Sequence, residues 1–318
     1  VIDKIPKDIV VLCGNYEFLP QQMDNLNSSL NEVRKNRIVD IKNGKSENLE
    51  IINWHKINIK GLKNKLLGNT KYFFPFISTR GCPYSCREYC TYPTSQGTKI
   101  IQEPVDIILK KLKTISNKYP YSHLVFRDPV FSINIKHTKE LLRLISNENL
   151  NIEFSAEVHL KNIDEELINL CKEANFKGLK FGIESAHKDV RDSVKRFSVE
   201  NDEQMEKVDL LNRAAIKTVG MFILAQPHDT VETCLSTIDY ACQLNLSIGQ
   251  FSIFTPYPGT PFYDKKLYHN TFKKFEECNQ YNLTYKHPNI TKKEARDLLE
   301  KAYKMFLNSK IKNYFFKN

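Results

Sequence analysis

The sequence lacks several features that would place it in a common structural class. No apolar run approaches the roughly 18 residues of a membrane-spanning helix, and the amino terminus lacks the charged and apolar regions of a signal peptide. The eight cysteines, in a chain of 318 residues, do not have the spacing of a disulfide framework. These absences argue against a membrane protein and a disulfide-stabilised secreted domain, and we expect a cytoplasmic protein.

The sequence also lacks a long block of charge of one sign. Its net charge of +10 comes from lysines and arginines scattered along the chain, with acidic residues between them. Such diffuse charge predicts a solvated surface, since it gives non-specific affinity for nucleic acid without forming a site. We therefore do not expect nucleic acid as a partner, and the 41% of hydrophobic residues can bury a sizeable core.

From Tyr72 onward, short apolar segments alternate with amphipathic ones, which predicts parallel strands joined by helices. The predicted strands are Tyr72–Thr79, His123–Arg127, Asn151–Ala156, Lys180–Ile183, Thr218–Leu224 and Gln250–Thr255. The predicted helices are Val105–Ser116, Lys136–Ile145, Ile163–Ala174, Glu203–Ala215, Val231–Leu244 and Lys292–Phe306. Capping-box pairs that mark helix starts are Asn162 with Glu165, Asp229 with Glu232, and Thr291 with Glu294.

The number of predicted strands falls short of the eight that close a TIM barrel. The pattern therefore predicts an α/β fold with a partial, open (β/α)6 TIM-type barrel. Pro75, inside the first strand, suits an edge position, where a missing N–H does least harm. In such barrels the chemistry lies at the carboxyl ends of the strands, and Asp128, Glu157 and Glu184 each lie at or just past one of those ends.

The segment Gly81–Cys90 follows the first strand and contains Cys82, Cys86 and Cys90. A four-iron cluster held by protein alone takes four thiolates, so three cysteines would leave one iron open to another ligand. A zinc site would need a fourth cysteine or histidine close by; the nearest cysteine upstream is Cys13, and the nearest histidine downstream is His123. A cysteine stripe on a buried helix is the remaining alternative.

The apolar strand, Thr79-Arg80-Gly81, the three-cysteine loop with Tyr89 before its last cysteine, and Thr91-Tyr92-Pro93 resemble the opening of a radical S-adenosylmethionine (SAM) enzyme. The resemblance implies that SAM chelates the open iron of a 4Fe-4S cluster and is cleaved reductively to a 5′-deoxyadenosyl radical. One feature departs from the family, whose usual spacing is C-x3-C-x2-C. This chain has C-x3-C-x3-C, with one extra residue before Cys90.

The resemblance also implies roles for residues at the strand ends. The implied cluster ligands are Cys82, Cys86 and Cys90, and the implied SAM contacts are Tyr89, Asp128, Glu157, Glu184, Ser185 and Arg196. Asp128 corresponds to the place of the methionine amino group, Glu157 and Glu184 to the ribose and methionine portion, and Arg196 to the methionine carboxylate. At the fifth strand, the family usually has glycine in place of Ala225 and glutamate in place of Asp229. For His159, His228 and Tyr257 we expect packing at the rim rather than substrate contact.

The sequences Gly-Cys-Pro-Tyr-Ser-Cys (81–86) and Tyr-Cys-Thr-Tyr-Pro (89–93) resemble most closely the radical SAM enzymes that carry an N-terminal cobalamin-binding domain. This resemblance implies a cobalamin-dependent methyltransferase with three parts: residues 1–70 as the remnant of an α/β cobalamin-binding-like domain and a linker, 71–260 as the radical SAM core, and 261–318 as a C-terminal helical extension that covers the open side of the barrel. Because the first residue is Val1 and not methionine, we expect the chain to begin inside a longer protein.

The expected partners are a small-molecule or natural-product-type substrate and a one-electron reductant such as flavodoxin or ferredoxin. Two alternatives stay open. The first is a radical SAM enzyme without cobalamin, either methylthiotransferase-like or hydrogen-abstracting. The second is a non-catalytic protein that binds metal or nucleic acid on a degenerate barrel.

Overall fold

The computed structural model describes residues 11–14, 38–41, 63–66, 69–84, 86, 89–264, 271–272 and 274–316. The chain divides into two compact units, residues 1–58 and 59–318. In the first unit, strand β1 (Val11–Gly14) pairs in parallel with β2 (Ile38–Ile41). Most of residues 1–70 lie outside the described part of the chain, so their assignment to a remnant cobalamin-binding domain stays a prediction, as do the boundaries at 70 and 260.

The second unit contains a seven-stranded sheet. Its strands and the flanking short pair are β3 (Lys63–Leu66), β4 (Asn69–Phe76), β5 (Thr79–Arg80), β6 (Ile101–Gln102), β7 (His123–Phe126), β8 (Glu153–Glu157), β9 (Phe176–Glu184), β10 (Lys217–Leu224) and β11 (Ile248–Ile253). The sheet order is β3-β4-β7-β8-β9-β10-β11. The strands from β4 to β11 pair in parallel, whereas β3 is antiparallel to β4.

Helices connect these strands. They are α1 (Tyr92–Gln96), α2 (Val105–Lys118), α3 (Ile135–Ser146), α4 (Glu165–Glu173), α5 (Lys188–Ser193), α6 (Asn201–Arg213), α7 (Val231–Gln243), α8 (Pro261–Asp264) and α9 (Lys292–Phe316). The six parallel strands with their helices confirm the predicted partial barrel. In the described residues, no helix has the length and the apolar character that crossing a membrane requires.

Side-chain alternation gives the sheet two different faces. On β9, Leu179, Phe181 and Ile183 are fully buried on the helical side, whereas Lys180 and Gly182 lie on the concave side and are half-buried. The concave side therefore keeps space for a ligand. β9 begins at Phe176 rather than at the predicted Lys180. Lys177 and Gly178 interrupt the apolar pattern, but Phe176 and Gly178 pair with β8 across a register shift, and the pairing with β10 starts at Gly178.

Three local predictions need correction. Strand β4 is not at the sheet edge, because β3 pairs with residues Asn69–Tyr72; Pro75 nevertheless lies beyond that pairing, where its missing N–H is tolerated. Helix α4 is capped by Asp164 rather than Asn162. Helix α7 is capped by Thr230 rather than Asp229. Both errors are one or two residues, because several capping side chains are adjacent at each start.

Helix α9 lies on the helical side of the sheet, where it packs against α7 and β11. A Cβ atom at Gly249 would lie 3.0 Å from the Phe306 ring, and the Tyr303 hydroxyl donates a hydrogen bond of 2.9 Å to the Phe251 carbonyl. The predicted capping box of Thr291 and Glu294 at its start is confirmed. The helix therefore extends the outer layer at the edge strand β11. The expectation that the C-terminal extension covers the open side of the barrel stays a prediction.

Helix α6 ends in a Schellman motif with alanine in the glycine position. Ala215 has φ +60°, the Ile216 N–H donates to the Leu211 carbonyl (3.1 Å), and the Ala215 N–H donates to the Asn212 carbonyl (3.0 Å). Ala215 is exposed, and a residue with a Cβ atom is disfavoured in the left-handed conformation. We therefore expect Ala215→Gly to raise the free energy of unfolding by about 1 kcal/mol. Urea unfolding measures this free energy. Ala214→Gly, at φ −78°, is the matched control and is expected to lower stability. A lower stability for Ala215→Gly would contradict the assignment.

Candidate active site

The cysteine loop begins at a tightly fixed glycine. Gly81 has φ +82°, and a Cβ atom there would lie 1.9 Å from the Lys99 carbonyl oxygen. The N–H of Cys82 donates a hydrogen bond of 3.0 Å to the Gly97 carbonyl. Only glycine allows this close approach of two backbone segments. The loop therefore starts at a defined position beyond the end of β4.

A backbone hydrogen bond joins Cys90 to Cys86. The Cys90 N–H donates a hydrogen bond of 3.0 Å to the Cys86 carbonyl, which is the bond of residues i and i+4 in an α-helix. Residues four apart share a helix face as residues three apart do, so the extra residue before Cys90 does not turn its thiol away. The hydrogen bond from the Cys90 thiol lowers the pKa of Cys86 to about 7, against the effect of burial.

The three cysteines line one cavity of about 130 Å³ together with residues from the strand ends. The other lining residues are Tyr84, Tyr89, Tyr92, Pro129, Val130, Glu157, Val158, His159, Gly182, Glu184, Arg196 and Met221. The structure thus brings the cysteine loop next to the carboxyl ends of β7, β8 and β9 and to the concave face of β10.

The donor set fits a cluster better than a single metal ion. Among the described residues, no group of three or more cysteine, histidine or carboxylate side chains is arranged around one metal ion. In a cuboidal cluster each cysteine binds a different iron, so the three sulfur atoms need not converge on one point. Cys82 and Cys86 are each 4% exposed, which suits ligands of a cluster kept from water.

Glu184 and Arg196 form a buried ion pair beside the cysteines. Arg196 Nε lies 3.4 Å from Glu184 Oε1, and Arg196 Nη2 donates a hydrogen bond of 3.0 Å to the Gly182 carbonyl. Glu184 has φ +67°, which ends β9 and turns the chain. Gly182 leaves room for the pair, because a Cβ atom there would lie 2.4 Å from Glu184 Oε1 and 2.7 Å from Arg196 Nη2.

The electrostatics of this pair favour an anionic ligand. Burial raises the pKa of Glu184, against the effects of Arg196 and of the hydrogen bond from the Tyr89 hydroxyl. Arg196 Nε is buried and makes no hydrogen bond among the described residues, although it lies 3.4 Å from Glu184 Oε1 in the ion pair. A planar guanidinium at a cavity wall fits a carboxylate. The residues present therefore fit the methionine carboxylate of SAM.

Glu157 lies at the other side of the cavity. Its carboxylate is 3.4 Å from Arg127 Nη1, 3.9 Å from Lys180 Nζ and 3.5 Å from the Tyr92 hydroxyl. The side chain is 16% exposed, so one part of it faces the cavity. Burial, followed by the charge of Glu157, raises the pKa of Tyr92 to about 12, and the phenol stays protonated as a donor.

Two of the predicted SAM contacts do not line the cavity. Asp128 is fully buried and accepts hydrogen bonds from the Ser78 N–H (2.7 Å) and the Ser78 hydroxyl (2.5 Å). Burial raises the pKa of Asp128 to about 6. The Ser185 hydroxyl lies 3.2 Å from the Thr237 hydroxyl and accepts a bond from the His187 N–H. Asp128 thus holds the chain before the cysteine loop, and Pro129 occupies the cavity wall.

The sequence prediction left out several residues of this cavity. Tyr84 and Tyr92 belong to the cysteine segment, where the spacing of aromatics around the cysteines was the available signal. His159 lines the cavity and is 3% exposed, whereas His228 and Tyr257 are not among its lining residues. Met221 is on the concave face of β10, and no local feature of the sequence marks it.

The loop after β10 is held by the segment before α9. The Tyr285 hydroxyl donates a hydrogen bond of 2.8 Å to the Ala225 carbonyl, and His287 Nε2 lies 2.8 Å from the Gln226 carbonyl. Ala225 has φ +56°, which accounts for the preference of similar enzymes for glycine at this position. The C-terminal segment therefore fixes one wall of the barrel end even though α9 lies outside.

The structure defines an α/β half-barrel with a three-cysteine cavity at the carboxyl ends of its strands. The sequence profile described as the Radical SAM superfamily matches residues 76–241, which is more than half of the 318 residues. The chain belongs to the radical SAM superfamily, whose members use a 4Fe-4S cluster and SAM.

Two curated methyltransferases are similar to this chain. It is 25% identical over 232 residues to an uncharacterized methyltransferase of Pyrococcus horikoshii, covering 72% of this chain and 50% of the relative. It is 25% identical over 194 residues to bacteriochlorophyllide d C-12(1)-methyltransferase of Chlorobaculum tepidum, covering 60% of this chain and 42% of the relative. The chain thus spans about half of the length of these relatives.

Among solved structures, the chain is similar to the radical SAM methyltransferase TsrM from Kitasatospora setae, solved with cobalamin and a 4Fe-4S cluster. The TM-score is 0.56 at 20% sequence identity, and the match covers 60% of this chain and 38% of that one. At this identity the similarity is evidence of a shared fold.

Proposed function

We propose that this chain contains the radical SAM core of a cobalamin-dependent methyltransferase. The observation that carries the proposal is the single cavity in which three loop cysteines lie beside the Glu184–Arg196 pair. A site with three cysteine donors and a buried guanidinium offers both halves of what SAM requires, an iron without a protein ligand and a partner for its carboxylate. When bound, the reduced cluster supplies the electron that cleaves SAM.

Several residues of the cavity then have a defined task. Cys82, Cys86 and Cys90 would hold the cluster and would leave one iron without a protein ligand. Arg196 binds the methionine carboxylate, while Glu184 orients Arg196 and receives the Tyr89 hydroxyl hydrogen bond. The charges of these side chains and the distances between them support the roles. Binding both ends of a cofactor would also fix the position of its reactive bond.

Glu157 is suited to the hydroxyl or amino groups of SAM, since a carboxylate accepts hydrogen bonds from both. Asp128 contributes indirectly, through Ser78, to the position of the cysteine loop. Tyr92, whose hydroxyl is 3.5 Å from Glu157, helps to hold that carboxylate at the cavity.

The proposed partners are cobalamin, a one-electron reductant such as flavodoxin or ferredoxin, and a small-molecule substrate. The names of the two relatives and of the solved neighbour support methyl transfer, and that neighbour binds cobalamin. We also propose a cytoplasmic location, which is consistent with the free thiols of all seven cysteines whose side chains the structure describes.

Anaerobic reconstitution with iron and sulfide tests the proposal. After dithionite reduction with SAM, we expect 5′-deoxyadenosine, and with cobalamin added we expect S-adenosylhomocysteine as the second product of methyl transfer. 5′-Deoxyadenosine alone, with or without cobalamin, would favour the hydrogen-abstracting alternative. A chain that binds the cluster and cleaves no SAM under either condition would contradict the proposal.

A further inference from the structure

We propose that Tyr84, His159 and Phe197 form an aromatic clamp that fixes the cysteine loop against the SAM-binding side of the cavity, with Tyr84 as a positioning residue. The clamp rests on the proposed function, because its task is to set the geometry between the cluster ligands and Arg196. It adds to that function a cavity residue that acts by holding the cysteine loop and not as a metal ligand.

The three rings come from the three segments that carry the site. Tyr84 lies between Cys82 and Cys86, His159 is two residues after Glu157, and Phe197 directly follows Arg196. The Tyr84 ring centroid is 5.1 Å from that of His159 and 5.9 Å from that of Phe197, and the His159 and Phe197 centroids are 5.4 Å apart. Each ring therefore contacts both of the others at stacking distance.

Polar contacts hold the rings in place. His159 Nε2 lies 2.9 Å from the Phe197 carbonyl, and His159 Nδ1 accepts the Lys161 N–H at 3.2 Å, which assigns the ring proton to Nε2. On the same side, the Asn162 side chain, three residues after His159, donates a hydrogen bond of 2.7 Å to the Ser132 carbonyl.

The clamp residue lies between two of the proposed cluster ligands. Tyr84 is two residues after Cys82 and two residues before Cys86. A Tyr84 ring held between His159 and Phe197 therefore fixes the backbone that carries both thiols. Because the surroundings of the cysteine sulfurs tune the reduction potential of an iron–sulfur cluster, loss of the ring is expected to change the cluster as well as the loop.

Three variants test the clamp: Tyr84→Phe, Tyr84→Leu and Phe197→Leu. The control is Tyr281→Leu, because Tyr281 is exposed and lies outside the site. In the reconstituted chain, we expect Tyr84→Leu and Phe197→Leu to have a shifted reduction potential, altered electron paramagnetic resonance of the reduced cluster, and about two- to tenfold weaker SAM binding. Tyr84→Phe and Tyr281→Leu are expected to match the parent.

A measurement without cluster separates the clamp from the proposed function. In the metal-free chain, we expect faster amide hydrogen exchange in the cysteine segment of Tyr84→Leu and Phe197→Leu, and none of this change in Tyr281→Leu. Unchanged exchange in both would overturn the clamp even in a chain that cleaves SAM. If Tyr84→Leu fails to hold a cluster, the test uses Phe197→Leu alone. A reduction potential and a paramagnetic resonance spectrum of Phe197→Leu that match those of the parent would also overturn the clamp. Failure of the parent to bind a cluster would instead contradict the proposed function.

Discussion

Cys90→Ala is expected to abolish the cluster, lowering bound iron after reconstitution from about four atoms per chain to near zero, together with the absorbance near 400 nm and all 5′-deoxyadenosine formation. The reason is the ligand count, because a loop with three donors has none to spare. The measurement also tests the unusual spacing. The i to i+4 hydrogen bond between Cys90 and Cys86 places their thiols on the same side of a turn, so the parent chain is expected to bind the full cluster.

Cys242→Ala is the matched control for this experiment. Cys242 is a free, half-buried thiol on α7 that does not line the cavity, and its loss is expected to leave iron content and SAM cleavage unchanged. Equal iron in Cys90→Ala and in the parent would show that the metal binds elsewhere. A parent chain that takes up about one zinc ion and no iron would support the zinc alternative instead.

Arg196→Met is expected to weaken SAM binding by at least about 30-fold while leaving the cluster intact, because truncation of one member of a buried charge pair costs several kcal/mol. The side chains of Arg196 and Glu184 are 12% and 9% exposed, so solvent screens the pair little. Removing Arg196 also leaves Glu184 buried without its cation, and we expect the free energy of unfolding to fall by about 3–5 kcal/mol.

A double variant separates these two effects. In Arg196→Met with Glu184→Gln, the uncompensated charge is gone, so most of the lost stability is expected to return while SAM binding stays weak. Equilibrium dialysis with SAM and urea unfolding give the two quantities. The control for loss of a guanidinium is Arg143→Met, because Arg143 lies on the surface of α3. Normal SAM affinity in the double variant would remove Arg196 from the binding site.

The prediction for Asp128 illustrates what a strand-end motif leaves open. Asp128, Glu157 and Glu184 all lie at or just past a strand end, and the sequence alone treated them as equivalent. On β7 the concave side carries Val125 and then Arg127, so the next residue, Asp128, falls on the opposite side and is buried against Ser78. Glu157 and Glu184 occupy positions of β8 and β9 that alternate onto the concave side of the sheet. Strand parity, which depends on the pairing register, decides which carboxylate reaches the cavity.

By itself, the sequence determined the parallel half-barrel and the cysteine loop, because alternation of apolar residues and the spacing of cysteines are properties of neighbouring residues. Only the tertiary structure decided how the site is assembled. The left-handed turn at Glu184 and the absent side chain at Gly182 bring Arg196 back to the cysteines. The contacts of Tyr84 with His159 and Phe197 join three segments far apart in the chain. Such contacts depend on chain reversal and close packing, which no local pattern encodes.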